Sequence, residues 1–201
     1  MSDYSKSQTP AHRRSLGIQS IVLLGIVGLL TIATNGSVAA WSGDEETTDT
    51  ETAILAGGCF WGMEGLIRDI DGVIDTEVGY AADKSDKKAE PAEAIRIVYD
   101  PLRVSYEDLL RFYFKMHDPT TKNRQGNDRG AEYRSAIFVL DDGQLAVAEK
   151  VRGEVDASGF WKKPVVTEIN EAGKFKEAAE HHQDYLAKNP GGYTCHFVRG
   201  E

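Results

Sequence analysis

Apolar and polar positions along the chain fall into blocks whose period changes several times. Residues 18–34 (IQSIVLLGIVGLLTIAT) are almost wholly apolar and have no polar face, whereas residues 42–52 (SGDEETTDTET) are acidic and rich in threonine. Ala53 to Ala56 is a short apolar run closed by Gly57-Gly58, which predicts a buried strand entering a tight turn. Met63, Leu66, Ile67 and Ile70 recur at helical spacing and predict a helix over 60–69. Val73 to Tyr80 and Glu93 to Tyr99 predict strands on either side of a polar loop, and Asp100-Pro101 stops the second. Ser105 reads as an N-cap, with Glu107 and Asp108 in the first turn and Leu109, Leu110, Phe112, Tyr113 and Met116 on the apolar face. Residues 117–132 (HDPTTKNRQGNDRGAE) form a polar loop long enough to expect a function of it. A strand over Arg134–Leu140, a helix over Asp142–Val155, a strand over Val165–Ile169 and a helix over Lys174–Lys188 follow, the last stopped by Asn189-Pro190. The tail GGYTCHFVRGE has no period.

The order β-α-β-β-α-β, extended by helix, strand and helix, predicts an α+β fold. It is a two-layer sandwich with a ferredoxin-like (split βαβ) core and an irregular C-terminal tail. A polar stretch carrying His12, Arg13 and Arg14, then the apolar run, then small residues at Ser37, Ala39 and Ala40, predicts a signal peptide or N-terminal membrane anchor over 1–40. An acidic linker over 41–52 leads to a catalytic domain over 53–201. The chain is therefore expected outside the cytoplasm, periplasmic or extracellular, and in contact with a membrane only through its N-terminal segment.

With 41% hydrophobic and 27% charged residues, one packed core is within reach of the 201-residue chain. The formal net charge is −9. The first forty residues hold three basic side chains (Lys6, Arg13, Arg14) against one acidic (Asp3), so the remainder is more acidic still. No basic stripe is present, which argues against nucleic acid as a partner.

Two cysteines, Cys59 and Cys195, admit one structural bridge or a catalytic pair. Cys59 lies in Gly57-Gly58-Cys59-Phe60-Trp61-Gly62, between a strand and a helix. A helix N-terminus offers unpaired N–H groups and partial positive charge, which lower a thiol pKa to about 3.5–7.5. The competing reading is a small buried hydrophobe. Cys195-His196, being adjacent, lacks zinc-ligand spacing, and no metal site is expected. His181-His182 reads as packing chemistry. No GxGxxG segment is present to hold a nicotinamide or flavin nucleotide.

The segments GCFWGME, GYxxD, EAIRIVYDP, HDPTTKNRQGNDRGAEYRSAIF and HHQDYLAKNP together resemble the MsrA family of methionine sulfoxide reductases, from about Ala53 to Pro190. The resemblance implies an α+β sandwich and reduction of methionine-S-sulfoxide, free or in proteins. It implies that Cys59 is the nucleophile and becomes a sulfenic acid. Glu93 stands at the place of the family's acid, with Glu90 as the alternative. Tyr133 and Asp128 stand at the loop positions that orient the sulfoxide, and Phe60 and Trp61 at the aromatic wall around its methyl group. Cys195, in the tail, stands where members often carry the resolving thiol, so a Cys59–Cys195 disulfide is implied. Its reduction then falls to an external thioredoxin-like thiol donor, with no bound cofactor. Oxidised proteins or peptides are the implied substrates, and a monomer the implied state.

The chain departs from the pattern between Gly79-Tyr80 and Glu93. The stretch AADKSDKKAEPAE is shorter than in other members and lacks their second oxygen-binding tyrosine, and proline stands in place of a histidine. A more open pocket is expected there. Tyr80 belongs to a different family position. Two other classes compete: an inactive MsrA-like module that binds oxidised methionine or a partner protein, and a cysteine hydrolase using His117 or His182 as base.

Overall fold

The computed structural model describes residues 49–200. The expected signal peptide or anchor, and most of the expected linker, lie outside the described residues. Among those described, no helix is long and apolar enough to cross a membrane.

Strand β1 (Glu51–Gly57) leads through Gly58 and Cys59 into helix α1 (Phe60–Ile67). The strand thus starts two residues before Ala53, where the sequence pattern begins it. Strands β2 (Val73–Asp83) and β3 (Ala92–Tyr99) form a hairpin around the shortened polar loop. Helix α2 (Tyr106–Met116) is capped as the sequence predicts, with the Asp108 N–H donating to the Ser105 hydroxyl (3.1 Å). Two short strands, β4 (Arg124–Gln125) and β5 (Asp128–Arg129), pair inside the long loop, and a single 3-10 turn at Ala131–Tyr133 follows. Strand β6 (Ser135–Val139), helix α3 (Asp142–Ala157), strand β7 (Glu168–Glu177) and the short helix α4 (Tyr185–Lys188) complete the domain.

The mixed α and β content matches the expectation, while the sheet differs from that of the expected two-layer sandwich in being closed on itself. The sheet closes into a barrel in the order β1-β3-β2-β7-β6. Strand β7 causes the closure, because it pairs antiparallel with β2 and parallel with β6. Part of β7 occupies the segment where a helix over Lys174–Lys188 is expected, and what remains there is a 3-10 turn at Glu180–His182 and an α-helix at Tyr185–Lys188. The strand expected over Val165–Ile169 is correspondingly shifted to Glu168–Glu177.

Side chains alternate between two apolar layers. Ala53 and Leu55 of β1, Ile95, Ile97 and Tyr99 of β3, and Ile137 and Val139 of β6 pack outward with Met63, Ile67, Leu109, Leu110, Phe114 and Val151 from the helices. The alternate residues, Ile54, Ala56, Ala81, Ala92, Ala94, Ala136 and Phe138, face one another inside the barrel, joined by Ala172 and Phe175. About eight strands are needed for a barrel interior that takes ordinary side chains. Five strands leave less room, which accounts for the alanines.

Gln183 prolongs the barrel beyond β7. Its side-chain amide accepts from the Val78 N–H and donates to the Val78 carbonyl, both at 2.9 Å, as a neighbouring strand would.

Candidate active site

The β1–α1 turn is shaped by its glycines. Gly58 has a positive φ of 109°, and a Cβ there would lie 2.5 Å from the Gln125 side chain. Cys59 follows as the residue before the first turn of α1, 7% exposed and with a free thiol. The helix N–H groups act on its sulfur as expected, since the Trp61 and Gly62 amides favour the thiolate. Burial outweighs them, and the Glu93 and Asp128 carboxylates add to it, so the thiol is pushed up to about 11. The expected low pKa is thus corrected: at neutral pH Cys59 rests as a thiol.

Glu93, the second residue of β3, is half-buried against the turn. Its Oε2 accepts from the Phe60 N–H (3.1 Å), which leaves Oε1 to carry a proton. Burial is the main cause that pushes the carboxyl up to about 7, with Asp128 and Glu132 adding to it and the Phe60 amide opposing. Near neutral pH a large fraction of Glu93 is therefore protonated and can donate. Glu90 stands in the exposed turn before β3, and its carbonyl accepts from Arg134 (2.8 Å), so Glu93 is the carboxyl at the thiol.

Phe60 is buried behind the thiol, 5.8 Å from the Tyr80 ring, and Tyr80 pairs with Glu93 across the hairpin. Trp61 is half-buried and stacks on Tyr185 at 3.8 Å, while its indole N–H donates to His182 Nδ1 (3.2 Å). Tyr133 ends the 3-10 turn close enough for Glu93, Asp128 and Cys59 to act on it, and burial first, then these charges, push its phenol up to about 12. The aromatic and acidic residues named from the sequence therefore gather around Cys59.

Cys195 also lies here. Residues 191–200 carry no regular secondary structure, yet Thr194 and His196 pack against Gly62 of α1. The Cys195 thiol donates to Asp128 Oδ2 (3.3 Å), and the Tyr193 hydroxyl reaches both Asp128 oxygens (3.0 and 3.1 Å). Cys59 acts on Cys195 through its backbone amide and its sulfur, so the two thiols share one site. Burial, reinforced by Asp128, pushes Cys195 up to about 12. Gly62 makes room for this tail, because a Cβ there would lie 2.3 Å from Thr194 Oγ1 and 2.4 Å from His196 Nδ1.

Residues 51–201 match the family model described as Peptide methionine sulfoxide reductase. The chain belongs to this family. It is 57% identical over 157 residues to Peptide methionine sulfoxide reductase MsrA of Nocardia farcinica, an alignment covering 76% of this chain and 92% of that one. Among solved structures it is similar to reduced Mxr1 of Saccharomyces cerevisiae. The TM-score is 0.68 and the identity 35%, with 75% of this chain and 93% of that one covered. It is also similar to Mxr1 in complex with Trx2, with a TM-score of 0.56 and 28% identity, covering 75% and 91%.

Family membership leaves His117 without a role at the thiol. It is wholly buried, with Nδ1 donating to the Tyr113 carbonyl (2.7 Å) and Nε2 against the Ser135 hydroxyl (2.8 Å). His182 holds Trp61. The sequence reading misses Gln125 and His196, which both donate to the Gly57 carbonyl (3.3 and 2.8 Å), and Tyr193, which holds Asp128. A polar loop and an aperiodic tail carry no sequence signal of such long-range contacts. Among the described residues no group of three potential ligands is placed to hold a metal ion.

Proposed function

We propose that the chain reduces methionine-S-sulfoxide, free or in proteins, with Cys59 as nucleophile, Glu93 as proton donor and Cys195 as resolving thiol. The observation that carries this reading is the meeting of a buried thiol at the start of α1, a carboxyl raised to about 7, and a second thiol in one site. Glu93 gives its proton to the sulfoxide oxygen and Cys59 sulfur attacks the sulfoxide sulfur. The S–O oxygen passes to Cys59 as sulfenic acid, methionine leaves, and the Cys59 proton restores Glu93. The thiol therefore needs no standing negative charge, which fits its raised pKa.

Tyr133 and Asp128 orient the sulfoxide, and Phe60 and Trp61 face its methyl group, since an apolar polarizable methyl suits aromatic surfaces. The S–S bond that Cys195 then forms with Cys59 is reduced by a thioredoxin-like protein; the likeness to an Mxr1 complex with Trx2 supports that partner. The order β6-β1-β3-β2, with α1 and α2 as crossovers, supports reading the core as a split βαβ unit to which β7 is added. The apolar run over 18–34 and the small residues after it support export, through a cleaved signal or a retained anchor.

The test is dithiothreitol-driven and single-turnover reduction of a blocked methionine-S-sulfoxide, beside Cys59→Ser and the R epimer. Turnover of the S epimer alone, absent in Cys59→Ser, is the expected result. No turnover by folded protein with reduced thiols would sink the reading and favour a binding module.

A further inference from the structure

His196 is 6% exposed although it sits in a tail without secondary structure. Its Nε2 lies 2.8 Å from the Gly57 carbonyl oxygen. A carbonyl only accepts, so Nε2 carries the hydrogen. Burial holds the imidazole below its ordinary pKa, so the ring is neutral and Nδ1 is left as an acceptor. That acceptor lies 3.5 Å from the Cys195 sulfur. The tautomer is therefore fixed by the same turn that presents Cys59, and the free lone pair is aimed at the second thiol.

We propose that His196 is the general base of the resolving step and takes the Cys195 proton as that sulfur attacks the Cys59 sulfenic acid. The inference rests on the reductase reading above. A thiol attacks poorly until its proton is removed, and the other acceptor at the Cys195 thiol among the described residues is Asp128 of β5. Asp128 also touches the Cys195 thiol, at 3.3 Å, and in addition holds the Tyr193 hydroxyl. Transfer to His196 creates an imidazolium that faces both the new thiolate and the Asp128 carboxylate, so each charge has an opposite neighbour. Transfer to Asp128 leaves the thiolate with none. The other charged or titratable groups acting on His196 are Arg199, which opposes its protonation, and His117.

In this step the Cys195 S–H bond breaks and its proton goes to Nδ1. The new S–S bond displaces the Cys59 S–O bond, and the departing hydroxide leaves as water with the Glu93 proton. Cys195 sulfur is oxidised and Cys59 sulfur is reduced, with no outside oxidant. Proton return from His196 to Glu93 through solvent closes the cycle.

The experiment uses the reduced full-length protein, methionine-S-sulfoxide and no external reductant, with rapid quenching. Methionine formation reads the first step, and thiol loss with dimedone trapping of sulfenic acid reads the second. His196→Gln keeps an amide N–H for the Gly57 carbonyl but has no base. Methionine formation should stay within about twofold of wild type, while disulfide formation falls about 100-fold and sulfenic acid accumulates. Disulfide formation in wild type should fall in acid as the imidazole protonates and fall again above about pH 7 as Glu93 loses the proton that the leaving hydroxide takes. In His196→Gln it should instead rise with pH up to about 7 and then stay flat, the growing Cys195 thiolate fraction offsetting the loss of the Glu93 proton. Thr194→Ala, which removes the hydroxyl that receives the His196 backbone N–H (3.1 Å), loosens the same tail but leaves the base. It should keep the wild-type pH profile. Disulfide formation near the wild-type rate in His196→Gln, or slowed with an unchanged pH profile, overturns the inference and leaves a packing role. Absence of methionine from wild type overturns the reductase reading and the inference with it.

Discussion

Replacing Glu93 by glutamine removes the transferable proton and little of the shape. The glutamine amide retains an oxygen that accepts from the Phe60 N–H, so the turn before α1 keeps its shape. A positioned general acid contributes about 10²–10⁴-fold, or about 3–5 kcal/mol of barrier, and single-turnover methionine formation should fall by that factor. The carboxyl titrates near pH 7, so the wild-type first-step rate should bend there, and the bend should vanish in the variant. Stability should move the other way. An unfolded glutamate titrates near 4.5 and the folded one near 7, so the folded state binds more protons in that window. Wild-type stability is therefore lost as pH rises from 4.5 to 7, while the variant's contribution is flat. The full shift at about 1.4 kcal/mol per pH unit is a ceiling of about 3 kcal/mol, and partial exposure reduces it to about 1–2 kcal/mol. Urea denaturation at pH 8 should find Glu93→Gln more stable by that amount. A variant as active as wild type, or one that keeps the bend near pH 7, would refute the assignment of Glu93 as the acid.

Burial holds His117 near 3 in the fold against 6.5 unfolded, so the unfolded state takes up a proton first and stability should fall as pH drops below about 6.5, read as a declining Tm between pH 7 and 4. Ala94→Leu overfills the barrel interior and should cost about 1–3 kcal/mol by urea denaturation, with no comparable loss from Ile74→Ala, which is exposed. Trp61→Ala removes the stack on Tyr185 and the bond to His182, and should raise KM severalfold more than it lowers kcat. Gly62→Ala drives a Cβ into Thr194 and His196, so it should slow disulfide formation while sparing the first methionine released.

The elements legible in the sequence are those whose own residues carry the pattern. Strand β1, the three main helices and β6 show their buried positions directly, and the Ser105 cap is visible as a serine before two acids. Strand β7 is not legible. Its sequence, EINEAGKFKE, places only Ala172 and Phe175 against the barrel interior, and it is held by backbone pairing with β2 and β6. The alanines and glutamates after it favour helix locally, and tertiary pairing overrides that preference. The site divides the same way. Cys59, Glu93 and Tyr133 lie in contiguous motifs and are legible. The high thiol pKa is not, because position at a helix terminus is visible in sequence while depth of burial is not. His196 gives no sign in the sequence because its partner, the Gly57 carbonyl, lies 139 positions away and is a backbone atom.

Closing the sheet has a further result for an enzyme that handles damaged proteins. Oxidised, partly opened chains expose unpaired strands, and an open sheet offers its outer strand as a template for them to join. In this domain β1, β2, β3, β6 and β7 each have a strand neighbour on both sides. Among the described residues each barrel strand is therefore paired on both sides over part of its length, which shortens the unpaired backbone the domain offers to its own clients.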